Sequence, residues 1–418
     1  MKLKRKTDPE SPVDTRDDTD EVIDEVLAEL REEDGIMEEI DAQVRKARKR
    51  QKIRRIVIAV LILLILVTIF LVIYLETYTS SRIVTTYDVA GSGNVNYEEF
   101  GRGILRYSKD GIVLLDRRGD EKWNQSYQIR NPILATYEDQ AAAVADKGGN
   151  TIVVLDRDGL KGEMQTTLPV EKVVVSGQGI VCAVLKSEPS PKSICYAAAG
   201  NPLVELATSL AGTGYPLDVS ISGDGTMLLV SYLSVQDGQL STKVRYYDFS
   251  GEKDSQEEYA VTADDYPGMA AASAFFMNAS DSVVVGDDRL LFYTGAAEPE
   301  LAKTVVLDKK IKSVFHDQRY VGLVLKNEGR SGYELRLYNT SGRQLLSEEF
   351  SGDYSNAKIS GSQVILYDGR KCNIFTRTGL HRFEGEVSSN IMEIIPVLGV
   401  NKYIVMNTGG MEVIRLVK

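Results

Sequence analysis

Two stretches decide the fold: GILRYSKDGIVLLDRRG at residues 103–119 and AAAVADKGGNTIVVLDRDG at residues 141–159. Each contains two short runs of apolar residues that are separated by a turn and end in Leu-Asp-Arg-x-Gly. Runs of this length, bounded by Gly, Asp and Ser, are typical of antiparallel hairpins. The shared ending indicates an internal repeat.

The glycine that ends each of these units recurs down the chain. It can be placed at seven positions: Gly119, Gly159, Gly200, Gly251, Gly295, Gly342 and Gly379. The intervals are 40, 41, 51, 44, 47 and 37 residues. A period in the forties with four short strands per unit is the signature of a β-propeller blade. The pattern therefore predicts an all-β propeller over residues 82–418.

The end of the chain predicts how the ring closes. After Gly379 come Ile391–Val397, Tyr403–Met406 and Met411–Val417, which supply only three strands of a last blade. A three-stranded last blade would leave an unpaired edge, and Arg82–Val89 is a strand-like run without another partner. We therefore predict eight blades, with Arg82–Val89 completing the last one. Seven blades remain the alternative.

One segment differs from all others, because residues 56–75 contain no charge. At about 1.5 Å per residue, this run spans roughly 30 Å, the thickness of a bilayer core. Residues 42–55, which precede it, carry eight bases and no acid. These bases are Arg45, Lys46, Arg48, Lys49, Arg50, Lys52, Arg54 and Arg55. Basic flanks stay on the cytoplasmic side.

This charge asymmetry predicts a single-pass protein of the cell membrane. Residues 1–55 would form a cytoplasmic tail, 56–75 a transmembrane signal anchor, 76–81 a short linker, and 82–418 an extracytoplasmic domain. In the tail, residues 7–41 carry 16 acids and two bases, with apolar residues at helical spacing between Val22 and Val44. The tail is either solvated and partly disordered or contains a short amphipathic helix that docks on a partner.

The composition excludes several classes of function. The formal net charge is −11, which argues against nucleic-acid binding. Three Cys and two His disfavour a disulfide scaffold, a zinc finger and a multi-His metal centre. Cys182 and Cys195 would face each other in one hairpin, so a disulfide and two buried thiols both remain open. Cys372 is left single.

Catalytic motifs are also missing from the sequence. It contains neither His-Glu-x-x-His nor Gly-x-Ser-x-Gly, and two Ser-x-x-Lys matches, at residues 250–253 and 355–358, lack companion motifs. We therefore expect no catalytic residue, no metal and no cofactor, and predict that the protein is not an enzyme. Paired acids such as Asp264 and Asp265 leave a glycan-active enzyme as a less favoured alternative.

Two motifs carry a resemblance to known propellers. DRRGDEKW at residues 116–123 resembles the quinoprotein repeat, although Trp123 is the only Trp in the chain. SGDGTMLLVS at residues 222–231 resembles the Ser-x-Asp-Gly hairpin of WD-type propellers. A quinoprotein enzyme would need a Trp platform and a calcium site, which the single Trp and the missing ligand cluster disfavour.

The whole layout resembles an uncharacterised family. A charged tail, one span and an outer domain with GYP (214–216) and YDFS (247–250) are similar to a domain of unknown function in single-pass membrane proteins of Gram-positive bacteria. At the level of architecture it also resembles the eight-bladed lipoprotein scaffold of outer-membrane assembly. The resemblance implies a propeller at the cell envelope and supplies no activity.

One region departs from the repeat and forms a candidate partner surface. The unit that ends at Gly251 is the longest, with an insertion at residues 235–240 and an acidic stretch at 252–265. Tyrosines beside acids on protruding loops are common at interfaces. The alternative is that these tyrosines pack between blades. The candidate residues are Tyr215, Tyr232, Tyr259, Asp264, Asp265 and Tyr266.

These observations predict a non-catalytic module that binds a protein or glycan partner at the cell envelope. A rigid ring presents loops from many blades, which suits recognition. The alternative is a transmembrane sensor, in which a ligand bound outside the cell alters the cytoplasmic tail.

Overall fold

The computed structural model describes residues 45, 46, 48–71, 75–89, 94–236, 238–251, 259–397, 399 and 401–418. The chain divides into two compact units between Glu76 and Thr77. The amphipathic tail helix expected between Val22 and Val44 lies outside the described residues.

The first unit contains one long helix, α1, from Arg48 to Leu71. The helix is long and apolar enough to cross a membrane. It begins within the predicted basic flank, and residues 72–74 of the apolar run lie outside the described residues. Thr68, the one hydroxyl-bearing residue of α1, donates to the carbonyl of Leu64 at 2.8 Å, which satisfies its hydroxyl within the helix.

The second unit contains 32 strands, β1 to β32, in eight four-stranded sheets. The first half comprises β1 Ser80–Tyr87, β2 Asn96–Phe100, β3 Gly103–Tyr107, β4 Gly111–Leu115, β5 Glu121–Ser126, β6 Pro132–Tyr137, β7 Ala141–Asp146, β8 Thr151–Asp156, β9 Gly159–Gln165, β10 Val170–Val175, β11 Val181–Leu185, β12 Lys192–Tyr196, β13 Pro202–Ala207, β14 Tyr215–Ile221, β15 Met227–Gln236 and β16 Gln239–Asp248. The second half comprises β17 Ala260–Pro267, β18 Ala271–Phe276, β19 Asp281–Gly286, β20 Arg289–Thr294, β21 Glu300–Val306, β22 Ile311–His316, β23 Tyr320–Lys326, β24 Tyr333–Asn339, β25 Gln344–Phe350, β26 Asn356–Ser360, β27 Gln363–Asp368, β28 Lys371–Thr376, β29 His381–Glu386, β30 Glu393–Pro396, β31 Lys402–Asn407 and β32 Gly410–Val417.

The sheets form an eight-bladed β-propeller, which confirms the predicted fold and excludes the seven-bladed alternative. Blades 1 to 7 are antiparallel meanders of four consecutive strands, from β2–β5 to β26–β29. All seven repeat glycines lie at the turn between the third and fourth strands of these blades. Gly342 shows why glycine is needed there: its φ is +67°, and a Cβ would approach the ring of Phe292 to 2.8 Å.

The eighth blade joins the two ends of the unit. Its sheet has the order β1-β32-β31-β30, so the first strand of the chain is its outer strand. Ser80 pairs with Val417 and Tyr87 with Met411, with a bulge between Ile83 and Thr85. The strand expected at residues 82–89 therefore begins and ends two residues earlier, at 80–87.

The short linker expected at residues 76–81 is instead part of the propeller from Thr77 onward. Tyr78 is buried, its backbone N–H donates to the carbonyl of Arg382 at 2.9 Å, and it bridges to Phe383 of β29. The Thr77 hydroxyl donates to the carbonyl of His381 at 2.9 Å. The segment packs here because Tyr78 fills an apolar gap between blades 7 and 8.

The hydrophobic core is divided among the blade interfaces. Eight clusters of buried side chains each join two neighbouring blades, including one between blades 8 and 1. The middle strands bury both faces, as in the run from Ala141 to Ala145, and therefore lack polar alternation. Each blade thus depends on both of its neighbours for burial.

One hairpin carries a covalent cross-link. Cys182 of β11 lies directly opposite Cys195 of β12, and the two form a disulfide. Both residues are buried between blades 3 and 4. Cys372 is a buried free thiol.

We expect Tyr78→Ala to lower the melting temperature of the protein by about 6–10 °C. Removing this buried ring leaves a cavity that costs roughly 3 kcal/mol. The matched control is Tyr215→Ala, because Tyr215 is 38% exposed at the start of a strand. Thermal unfolding followed by circular dichroism measures both. Equal melting temperatures for Tyr78→Ala and the wild type would show that residues 77–79 contribute nothing to the ring.

Candidate functional site

The first strands of the blades surround a central channel. A cavity of about 920 Å³ is lined by β2, β6, β10, β14, β18, β22 and β26 and by the turns that follow them. These strands come from seven of the eight blades. Because the first strand of every blade is the innermost, charged residues in its middle are directed into a shared space.

A buried ion network on one side of the channel joins blades 7, 8 and 1. The Lys358 ammonium contacts Glu393 and lies 3.0 Å from Glu99 Oε2. Ser360 Oγ donates to the same Glu99 oxygen at 2.7 Å. Burial lowers the pKa of Lys358, but the neighbouring carboxylates outweigh it and raise that pKa above its usual value. Lys358 therefore stays charged and compensates two carboxylates.

A second network on the channel wall joins blades 3, 4 and 5. Asp218 of β14 is 7% exposed, and Lys172 of β10 pairs with its Oδ1. The backbone N–H of Val219 donates to Oδ1 at 2.8 Å, and that of Ala274 donates to Oδ2 at 2.9 Å. Both carboxylate oxygens are thus satisfied, which keeps a buried charge tolerable.

Glu98 is a channel carboxylate that belongs to neither network. It faces the cavity from β2, and no described residue forms an ion pair or hydrogen bond with it. The channel wall, as the larger cause, and the neighbouring Glu393 carboxylate together raise the pKa of Glu98 to about 7, against the opposing effect of Lys358. Glu98 is therefore about half ionised near neutral pH.

Aromatic rings form part of the opposite wall. The rings of Phe275 and His316 stack with centroids 3.7 Å apart and planes inclined by 4°. Enclosure lowers the pKa of His316 to about 4, so the imidazole is neutral at physiological pH. Phe276 and Tyr137 also line the cavity.

The structure separates the predicted tyrosine surface into different environments. Tyr232 is fully buried, with its hydroxyl 3.2 Å from that of Tyr247, so it cannot belong to an exposed surface. Tyr259 is half-buried, and its ring packs edge-on against Phe249. Tyr215 is partly exposed and donates to Glu171 Oε2 at 3.1 Å. For Tyr232 the alternative of packing between blades was correct.

The acidic part of that surface lies on a strand rather than a protruding loop. Residues 252–258 lie outside the described residues, whereas Asp264, Asp265 and Tyr266 belong to β17, the outer strand of blade 4. Asp265 pairs with Arg245 at 2.7 Å. Tyr293 donates to Asp264 Oδ2 at 2.8 Å, and the Tyr266 hydroxyl lies 2.5 Å from that of Tyr293. These contacts hold the side chains against the blade.

A shallow groove nevertheless runs beside these residues. It has a volume of about 470 Å³ and is lined by residues 261–266 and 298–301. The insertion at residues 235–240 is the tip of the long β15–β16 hairpin, where Val235 pairs with Leu240 and both are exposed. Whether either feature binds a partner stays a prediction.

The predicted membrane flank is helical and exposed wherever it is described. Arg45 and Lys46 have helical conformation, and Arg48 to Arg55 form the first two turns of α1. The sequence reading did not select Glu98, Asp218 and Lys358. A signal was present for Asp218, which is a charged residue in the middle of the otherwise largely apolar β14, whereas Glu98 and Lys358 lie in strands with further polar residues.

Comparison with protein families identifies the family of this chain. Residues 74–416 match the model described as a family of unknown function, DUF5711. The chain belongs to this family. No curated protein sequence matches it. The DUF5711 match covers the propeller unit and excludes the basic flank.

Solved structures with a similar fold are distant. BamB from Moraxella catarrhalis is 10% identical with a TM-score of 0.44, and the match covers 82% of this chain and 99% of BamB. Apo AztD from Citrobacter koseri is 10% identical with a TM-score of 0.49, over 75% of this chain and 93% of AztD. The Pan2 WD40 domain from Neurospora crassa is 8% identical with a TM-score of 0.40, over 69% and 89% of the two chains. At these values none of them is a guide to activity.

We expect Lys358→Met to destabilise the propeller by about 3–5 kcal/mol at pH 8, because it leaves two enclosed carboxylates without their cation. The matched control is Lys371→Met, which changes an exposed lysine of the same blade. This loss of stability should shrink at pH 4.5, because burial raises the pKa of Glu393 above its ordinary value and its carboxyl group is then largely neutral. Urea unfolding at the two pH values measures this, and an equal deficit at both would show that charge is not the cause.

Proposed function

We propose that this protein is a non-catalytic binding module anchored by α1 in the cell membrane, with the propeller on the extracytoplasmic side. The observation that carries the proposal is the central cavity of about 920 Å³. Ligand pockets typically measure about 300–1,000 Å³ and combine apolar walls with a few polar groups. The cavity has this composition, since stacked rings face charged side chains across it.

Two independent features support the orientation. The eight bases of residues 45–55 precede the apolar helix, and basic flanks remain in the cytoplasm. The Cys182–Cys195 disulfide lies beyond the helix in the chain. Disulfides persist in oxidising compartments and are rare in the cytosol.

The partner we propose is a protein or glycan of the cell envelope that places a group in the channel. The ring is well suited to hold such a group, because the ion networks and the blade interfaces fix the inner strands. A preorganised site loses little conformational entropy when it binds.

The proposed orientation predicts which cysteines a membrane-impermeant maleimide reaches in intact cells. Glu328 is exposed in the turn between β23 and β24, so Glu328→Cys should be labelled directly. Thr15→Cys, in the tail, should be labelled only after the membrane is permeabilised. Mass spectrometry of the purified protein reports both. The reverse pattern would place the propeller in the cytoplasm.

The proposed site predicts where a photo-crosslinking amino acid captures a partner. Gln318 lines the mouth of the channel, whereas Thr304 is exposed on the outer strand of blade 5. In full-length protein in cells, the probe at position 318 should give a product that the probe at position 304 does not. Adding Ser273→Trp, which fills the channel, should remove that product. If it persists unchanged, the channel is not the binding site.

A further inference from the structure

The charges that line the channel are unequal. Six carboxylates border the cavity against three cations, Lys172, Arg319 and Lys358. Two of these cations are already committed, because Lys172 pairs with Asp218 and Lys358 with Glu99 and Glu393. Of the other carboxylates, Asp139 pairs with Arg157, which lies outside the lining. Glu98, Glu138 and Asp317 remain against Arg319, so the cavity carries an excess of negative charge after these pairs are formed.

Glu98 is the carboxylate best placed to meet a ligand. It belongs to an inner strand, faces the cavity and has no ion pair or hydrogen bond with the described residues. Its side chain is exposed to the channel, so a cation can approach it directly and would supply the compensating charge. The networks around Asp218 and Lys358 show that neighbouring channel carboxylates do have partners.

The wall that complements this charge is aromatic. The stacked pair of Phe275 and His316 lines the same cavity as Glu98, together with Tyr137 and Phe276. Aromatic faces attract ammonium and guanidinium groups and accept apolar stems. An anion would face both the excess carboxylates and the negative ring faces.

We propose that the channel binds an organic cation, a primary ammonium or guanidinium group on an aliphatic stem, and that Glu98 pairs with this charge. The inference rests on the proposed function, because it names the ligand of that same site. A free polyamine and a basic side chain of a peptide present the same chemistry, and the experiment below separates them.

The pairing should depend on pH. The groups that face Glu98 are Glu99 on its own strand, Lys358 on β26, Glu393 on β30, Tyr107 on β3 and Tyr367 on β27. The pKa values of Lys358, Tyr107 and Tyr367 are raised above their usual values near or above 10, so these groups keep their protons between pH 6 and 8.

Glu98 has a pKa of about 7 and therefore changes from mostly neutral to mostly ionised over this range. Burial also raises the pKa of Glu393, but this carboxylate already forms an ion pair with Lys358. Cation affinity should thus rise roughly tenfold from pH 6 to pH 8, in proportion to the ionised fraction of Glu98.

The test uses the full-length protein in detergent and two probes, spermine and fluorescein-labelled acetyl-pentalysine, with labelled pentaglutamate as the anionic comparison. Affinity is measured by calorimetry for spermine and by fluorescence anisotropy for the peptides. Salt of about 0.15 M screens distant charges beyond about 8 Å, which suppresses general attraction to an acidic protein.

Glu98→Gln removes the charge and keeps the shape of the side chain. We expect it to weaken binding of the cationic probes about tenfold at pH 8 and to reduce their pH dependence to less than about twofold. The matched control is Glu328→Gln, which removes one exposed charge outside the channel and should leave affinity unchanged. A pH 8 melting curve of Glu98→Gln at least as high as that of the wild type shows that the fold is intact.

The outcomes separate the inference from the proposed function. Equal affinities for Glu98→Gln and Glu328→Gln, or tighter binding of pentaglutamate, would overturn the inference. If pentaglutamate binds and Ser273→Trp abolishes that binding, the channel remains the site and only the ligand class is wrong. If Ser273→Trp leaves every probe unaffected, both proposals fail. Binding of spermine alone identifies a free polyamine, whereas binding of pentalysine alone identifies a basic peptide.

Discussion

The antiparallel pairing of β1 with β32 is the constraint on which the rest of the structure depends. Each blade buries both faces against its neighbours, so the hydrophobic core depends on the ring being closed. β1 and β32 come from opposite ends of the propeller unit, and their hydrogen bonds hold blade 8 between blades 7 and 1. Residues 77–79 add to this closure, because Tyr78 completes the apolar cluster between blades 7 and 8.

Closure also creates the channel and its electrostatics. Once eight first strands are brought around one axis, charged residues from distant parts of the chain share one enclosed space. Lys358 meets Glu99 although they lie 259 residues apart in the chain. The ring tolerates these charges because each network supplies a cation and hydrogen-bond donors. Glu98 lies outside both networks and is exposed to the channel, and an uncompensated carboxylate in a cavity marks a place where a ligand can contribute binding energy.

The surface prediction was wrong for Tyr232, and the reason is physical. Tyr232 lies close to acids in a long repeat, yet its side chain is fully buried. Sequence proximity does not say which face of a strand a residue occupies, or which neighbouring blade covers it. For the same reason the sequence does not show that Glu98 lacks an ion-pair partner, because the charged residues nearest to it lie on blades 7 and 8.

The sequence by itself determined the repeat, the propeller fold and the apolar helix, and it favoured eight blades closed by the first strand over seven. These features follow from local rules, because each depends on residues that are close together in the sequence. They are the turn glycines, the apolar runs of strand length and the uncharged segment of 20 residues. Only the tertiary structure decided that Cys182 bonds to Cys195, that residues 77–79 pack on the ring, and which channel charges are compensated. Those outcomes depend on distances between side chains on different strands and blades, and such distances exist only after the ring has closed.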